Sequence, residues 1–459
     1  MNRKPLSLIL VLLLATTLLF ACAKTDAPKV AAPSEAPVAT AEPVTLTITG
    51  GWPDFRALDV VAKAFTEQYP NCTIVYEYIQ DYYASLEKRM AGNEPIDLFI
   101  TTNLQTGSAL LPYAVDLYAQ KRLDLSNTFD GLRENFELAD AKGEQKQLYA
   151  IPLGADLRGY YVNKTLLASL GVEVPTNQQT LLDACQKLAD NGYIPMHGNP
   201  GSFPQTLLYP WICNLIANAD DPVATHKQVN DRVPGVSELF REPMAFLYKL
   251  VENGFYNYKK AQSELNLFVD STDEAYSRDF LNIVQKDDRY EKADDVGRVA
   301  FMASPMSIGD VVARTKEDYH SAIEYEFMLA PVGAEGGFAY LSPAHAIAIC
   351  NKSPNPEWAV KFLDFLFTPD NNKLFAQAFN VMPNTKDVLD YLGKQFDLPQ
   401  SRVSQLGQVT FDYSFYEIIH PVLVDLSKCN NPKYMQEDGT PYPLEHFMQQ
   451  LEAALTQAQ

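Results

Sequence analysis

From Val44 onward the hydrophobic pattern alternates between two periods. Val44-Thr45-Leu46-Thr47-Ile48-Thr49 is β-branched and bounded by Gly50-Gly51, which predicts a strand entering a tight loop. Between Ala57 and Tyr69, the residues Leu58, Val61, Ala62, Phe65 and Tyr69 share one helical face, and Pro70 stops the run. Thr73 to Tyr78 alternates as a second strand, Tyr82 to Ala91 reads as a second helix, and Ile96-Asp97-Leu98-Phe99-Ile100 as a third strand. That order implies parallel strands joined by crossover helices, hence an α/β sheet. Ligands of such sheets sit beyond the carboxyl ends of the strands, which singles out the loops 50–55 and 101–105 with Trp52, Asp54, Asn103 and Gln105. The two glycines before Trp52 expose its loop; the alternative for this ring is a packed cap on the first helix.

The N-terminal pattern differs. Arg3 and Lys4 precede an apolar run from Leu8 to Phe20, too short for a permanent membrane helix but suited to an export signal. It ends in Leu19-Phe20-Ala21-Cys22, which resembles the bacterial lipobox and predicts cleavage after residue 21 with lipid attached to Cys22. Residues 22–43 follow as a Pro/Ala-rich tether, with Pro28, Pro33, Pro37 and Pro43 disfavouring helix. The chain would then be lipid-anchored at the outer face of the cytoplasmic membrane, because no other segment approaches eighteen consecutive apolar residues.

Composition sets limits on what remains. A chain of 459 residues, 47% of them hydrophobic, can bury about two domain cores. Its 37 basic and 57 acidic residues give a net charge of −20, which repels nucleic-acid phosphates and anionic headgroups. Beyond Cys22, the cysteines 72, 185, 213, 350 and 429 are scattered without metal-like spacing, so buried free thiols are expected in preference to a disulfide framework.

Several segments, in order, carry a wider resemblance. They are Leu46 to Trp52 with Phe65-Thr66-Glu67-Gln68-Tyr69-Pro70; Ile96 to Ile100; Tyr149-Ala150-Ile151-Pro152 with Gly159-Tyr160-Tyr161-Val162-Asn163-Lys164; Gly297 to Met302; and Asn351 to Ala359 leading to Thr368-Pro369-Asp370. Together with the lipobox and tether, they resemble the extracellular solute-binding proteins of ABC importers, in the group that takes mostly sugars and oligosaccharides. The resemblance implies an α/β, two-lobed, periplasmic-binding-protein-like fold of type II, each lobe a sheet flanked by helices, hinged around a central ligand cleft. By that pattern one lobe takes residues 44–152 and 342–385, the other 153–341 and 386–459, with crossings near 151–156, 338–342 and Asn384. Pro152, Gly154, Gly336 and Gly337 stand at those crossings. It further implies a carbohydrate ligand, ABC permease subunits as partners, a monomer, and no cofactor.

A cleft for a polyol needs flat aromatic faces and planar hydrogen-bonding groups. Besides Trp52, candidate rings are Tyr209 and Trp211, Tyr340, and Tyr413, Phe415 and Tyr416, each of which reads equally as ordinary core. Asp156 and Arg158 precede Asn163 where relatives place a hydroxyl-accepting acid, the alternative being a surface ion pair; His345 either faces the cleft or ends a turn. The family's Gly-x-Trp element is missing after Phe301-Met302; Ser307-Ile308-Gly309-Asp310-Val311 stands there, making Gly309 and Asp310 candidates instead. The charged stretch 270–298 reads as a solvated surface insertion.

No phosphate loop, G-x-S-x-G, H-E-x-x-H or G-x-G-x-x-G motif is present, so an enzyme finds little support. The alternatives are a surface lipoprotein holding a non-sugar solute or a polysaccharide without transport, and a glycoside-acting enzyme.

Overall fold

The computed structural model describes residues 42–457 except 53–54, 103, 105–107, 141, 200, 259–276, 279, 282, 287–288, 293–297, 333–336 and 399–412. The signal segment, Cys22, the tether up to residue 41 and Gly336 therefore lie outside the described residues, as does most of the charged stretch 270–298. Within that stretch Phe280 and Leu281 are buried, so part of it packs inward where solvated surface was expected.

Strand β1 (Val44–Gly50), helix α1 (Arg56–Gln68), β2 (Cys72–Tyr78), α2 (Tyr82–Ala91) and β3 (Leu98–Thr101) follow the sequence pattern closely. β1 pairs in parallel with both β2 and β3. Leu58, Val61 and Phe65 of α1 are buried against the sheet, as the helical spacing requires.

The central strand is β4 (Ile151–Asn163), thirteen residues long. With β5 (Ile194–Gly198), β6 (Val299–Pro305), β7 (Tyr325–Leu329), β8 (Leu341–Ile349) and β9 (Met382–Pro383) it completes one nine-stranded sheet among the described residues, in the order β2-β1-β3-β8-β4-β6-β5. β7 and β9 pair with β4 off that path. The early half of β4 runs antiparallel to β8, and the later half to β6 and β7.

Two large cores form along this strand, with a smaller cluster of Tyr161, Phe280, Met302 and Val312 beside the second. Leu46, Phe65, Phe99, Ile347 and Phe362 belong to one cluster, whereas Leu181, Leu207, Met244, Phe301, Leu423 and Leu451 belong to the other. These define a first and a second lobe. Between them β9 contributes only a two-residue ladder, and side-chain amides supply the missing partners. Asn384 Nδ2 donates to Pro152 O at 2.7 Å, and Asn372 Nδ2 to Leu153 O at 3.0 Å. Asn384 N donates to Asn372 Oδ1 at 2.6 Å, and all of these groups are buried, where an unpaired carbonyl would be costly.

Candidate functional site

The first-lobe wall lies at the carboxyl ends of β1 and β3. Tyr76 on β2 holds the loop after β1 by its hydroxyl, which donates to Trp52 O at 2.8 Å and accepts from Trp52 N at 3.3 Å. A Cβ at Gly50 would fall 2.3 Å from that hydroxyl, so the approach requires glycine. Tyr82 ties the two strand ends together; its hydroxyl lies 2.9 Å from Thr49 O and 2.6 Å from Ile100 O. At the rim, half-exposed Tyr83 shares a 2.8 Å hydrogen bond with Thr102 Oγ1.

Trp52, held by its backbone, remains partly exposed. Its ring centroid is 3.8 Å from that of His345, at 45°. His345 lies in β8 immediately before Ala346, which pairs with Thr101, so it meets the wall where β3 ends. Its φ of 42° is in the left-handed region, uncommon for a residue with a side chain. The Nδ1 atom is enclosed without a hydrogen-bond partner, and burial pushes the imidazole down to about 4. The ring is therefore neutral near pH 7.

The second-lobe side centres on Arg158. Every residue of β4 is buried except this one. On one flank it pairs with Pro305; on the other, the neighbouring Leu157 pairs with Leu341. His420 lies within its field, since burial and then the guanidinium charge hold the imidazole below its ordinary value. Gln205 Nε2 is 3.2 Å from His420 Nδ1 and donates to Gly201 O at 2.7 Å.

Asp156 is committed to other partners. Its carboxylate accepts from Ser307 N at 3.1 Å, Ser307 Oγ at 2.7 Å and Leu157 N at 2.9 Å. Burial raises its carboxyl above the usual range, opposed by Arg158 and the Ser307 bonds. The adjoining turn Met306–Ile308 is also held from the first-lobe side, where Asn380 Nδ2 donates to Met306 O at 2.6 Å and lies 3.1 Å from the Tyr161 hydroxyl. A Cβ at Gly309 would lie 2.0 Å from Asn380 Nδ2, so the turn that lacks the tryptophan instead admits this contact.

The sequence-derived candidates thus fall into groups. Trp52 and His345 come together, whereas the Tyr340 ring packs edge-on against Tyr209 at 5.3 Å. Asp156 and Gly309 belong to the turn contacts, and Asp310 pairs with Arg314 at 3.2 Å one helical turn on. Tyr209 and Trp211 go elsewhere: both are 3% exposed, inside the helix Ser202–Ala217 and the second-lobe core. That segment is predominantly apolar and its Gln205 and Thr206 are themselves buried, the mark of a buried helix rather than an aromatic loop. Asp54, Asn103 and Gln105 lie outside the described residues, as do the side chains of Tyr413, Phe415 and Tyr416, whose backbone opens the helix Tyr413–Leu426. His420, Gln205, Ser307, Asn380 and Tyr83 were not legible as site residues; a histidine within an apolar helical run was the one available signal. Cysteines 72, 185, 213, 350 and 429 are buried free thiols. Among the described residues no group of His, Cys, Asp or Glu is arranged to hold a metal ion, and no helix is long and apolar enough to cross a membrane.

A strand-end wall opposite a second lobe, joined through one long shared strand, is the layout of a two-lobed solute receptor. The chain belongs to the bacterial extracellular solute-binding proteins, whose family model matches residues 49–373. No curated protein matches it. Among solved structures it is similar to the GacH receptor of Streptomyces glaucescens, determined unliganded and with acarbose, at 14% identity and a TM-score of 0.61 over 91% of this chain and 98% of that one. Maltose-bound MalE3 of T. maritima gives 16% identity and a TM-score of 0.59 over 90% of this chain and 99% of that one. A sugar transporter from Bacillus licheniformis in complex with stachyose gives 17% and 0.55 over 90% and 100%.

Proposed function

We propose that this protein is the solute-binding component of an ABC importer, which captures an oligosaccharide between its lobes and delivers it to a membrane permease. The observation that carries the reading is Trp52, a ring fixed by its backbone to Tyr76 yet left partly exposed at the carboxyl ends of two parallel strands. A rigid, accessible aromatic face there suits the C–H surface of a sugar ring. The similar structures bound to acarbose, maltose and stachyose support a saccharide. Binding energy gained from both lobes favours a closed state over an open one. The proposed lobes are 44–152 with 342–385, and 153–341 with 386–459, and the protein acts as an exported monomer anchored through lipid on Cys22.

The test is a thermal-shift panel of mono- and oligosaccharides, amino acids, polyamines and metal salts, since a ligand raises the melting temperature by mass action. A response confined to saccharides is expected. A response only to amino acids, polyamines or metals would overturn the sugar reading and leave the fold intact. Anchoring is checked separately: Cys22→Ser should move the exported protein out of the membrane fraction.

A further inference from the structure

Arg158 is the one residue of the thirteen in β4 that is not buried, just past the point where the strand leaves the first-lobe core. Among the described residues its guanidinium makes no hydrogen bond and no ion pair. Placing a cation in a half-buried sheet without a partner is unfavourable, because the lost hydration is not replaced. A neutraliser is available two residues away on the same face of the strand. Yet the Asp156 carboxylate is held by Ser307 N, Ser307 Oγ and Leu157 N, and stays out of ion-pair range of Arg158. Ser307 thus takes up the hydrogen-bonding positions of the acid, and Arg158 keeps only a longer-range attraction to it.

The neighbouring polar groups are tied to one another. Gln205 Nε2 donates to Gly201 O and meets His420 Nδ1 as an N–H, so that ring nitrogen is the acceptor and the neutral imidazole carries its proton on Nε2. Tyr340 immediately precedes Leu341, the partner of Leu157, and packs its ring against Tyr209. A fork of guanidinium N–H groups matches a planar carboxylate in two parallel hydrogen bonds, and does so better than it matches isolated hydroxyls. In a chain of net charge −20, a local cation of this kind also offsets the long-range repulsion that an anionic solute would meet.

Building on the oligosaccharide reading, we propose that Arg158 docks a carboxylate and that the saccharide taken by this cleft carries uronic-acid units. The experiment is titration calorimetry on the Pro43–Gln459 chain, the compact unit that contains both cores. Its probes are trimers of galacturonate, mannuronate, guluronate and glucuronate, each beside the neutral trimer of the same linkage in which the carboxylate is a primary alcohol. One uronate trimer should bind at least about 30-fold tighter than its neutral counterpart, and Arg158→Gln should weaken it by about 100-fold, the range for removing a charged hydrogen-bonding partner. Arg158→Lys, which keeps the charge but loses the fork, should fall between and guards against a Gln variant that folds poorly. Neutral trimers binding as tightly as the uronates would overturn the proposal while leaving the oligosaccharide reading standing. Binding by no saccharide of either kind would sink both. An uronate affinity unchanged in Arg158→Gln would remove Arg158 from the role.

Discussion

The two lobes build their halves of the site from different materials. On the first lobe, aromatic rings are fixed by backbone hydrogen bonds: Tyr76 grips Trp52 through the main chain, and Trp52 in turn packs on His345. On the second lobe the largest rings are withdrawn into the core, and polar groups stand near the crossing: Arg158, His420 and Gln205. Aromatic density along the chain is thus a poor guide to a binding wall. What decides is whether a ring sits past the end of a strand, where the sheet stops covering it, or within a helix that the fold encloses on every side.

The contrast can be broken most forcefully at Trp211. If it is core, Trp211→Ala should remove about 3–5 kcal/mol of stability in denaturant unfolding, as large core truncations do; an undiminished midpoint together with lost ligand affinity would put the ring back on a wall. Next in size is a pH effect at His345. Its folded-state value is lowered to about 4 from an ordinary 6.5, so the unfolded chain takes up the proton first. The stability it confers is complete above pH 6.5 and is lost as pH falls towards 4, by up to about 3 kcal/mol. Urea unfolding of wild type and His345→Asn at pH 7, 5.5 and 4.5 should show that slope flattened in the variant, asparagine being tolerant of the left-handed backbone.

Trp52→Ala should weaken saccharide binding by about 1–3 kcal/mol in calorimetry, with melting temperature little changed because the backbone clamp survives. A large drop in melting temperature without loss of affinity would mean that Trp52 is a packed cap. The smallest effect is a control on the first-lobe surface. Arg122 and Glu357 are 3.8 Å apart and side-chain exposures are 80% and 83%, so Arg122→Ala should change stability by less than about 0.5 kcal/mol.

The first three strands and two helices were legible because each segment has one exposed and one buried face, and the period changes between neighbours. Val44–Gly50 and Arg56–Gln68 form within a residue or two of where their patterns begin and end. Trp52 was legible as a candidate because its position follows from the strand before it. For Tyr209 and Trp211 the sequence leaves wall and core equally open, since a mostly apolar run gives no orientation. The hinge amides were invisible for another reason. Asn372 and Asn384 bond to Leu153 and Pro152, more than two hundred positions earlier, and no local pattern records such a partner. Ser307, in the turn after β6, reaches Asp156 of β4 in the same way, from 151 positions along the chain.

The strand order has a kinetic consequence. β8, which ends at Ile349, lies between β3, which ends at Thr101, and β4, which begins at Ile151. As the chain emerges from a ribosome or a secretion channel, β3 and β4 each present a bare edge until the intervening second-lobe residues have appeared and β8 can be inserted. Such long-range closure makes folding slow, and unpaired edges of apolar strands invite association with other chains. A protein threaded unfolded across a membrane gains from the delay, because the first-lobe sheet cannot close before residue 341 arrives.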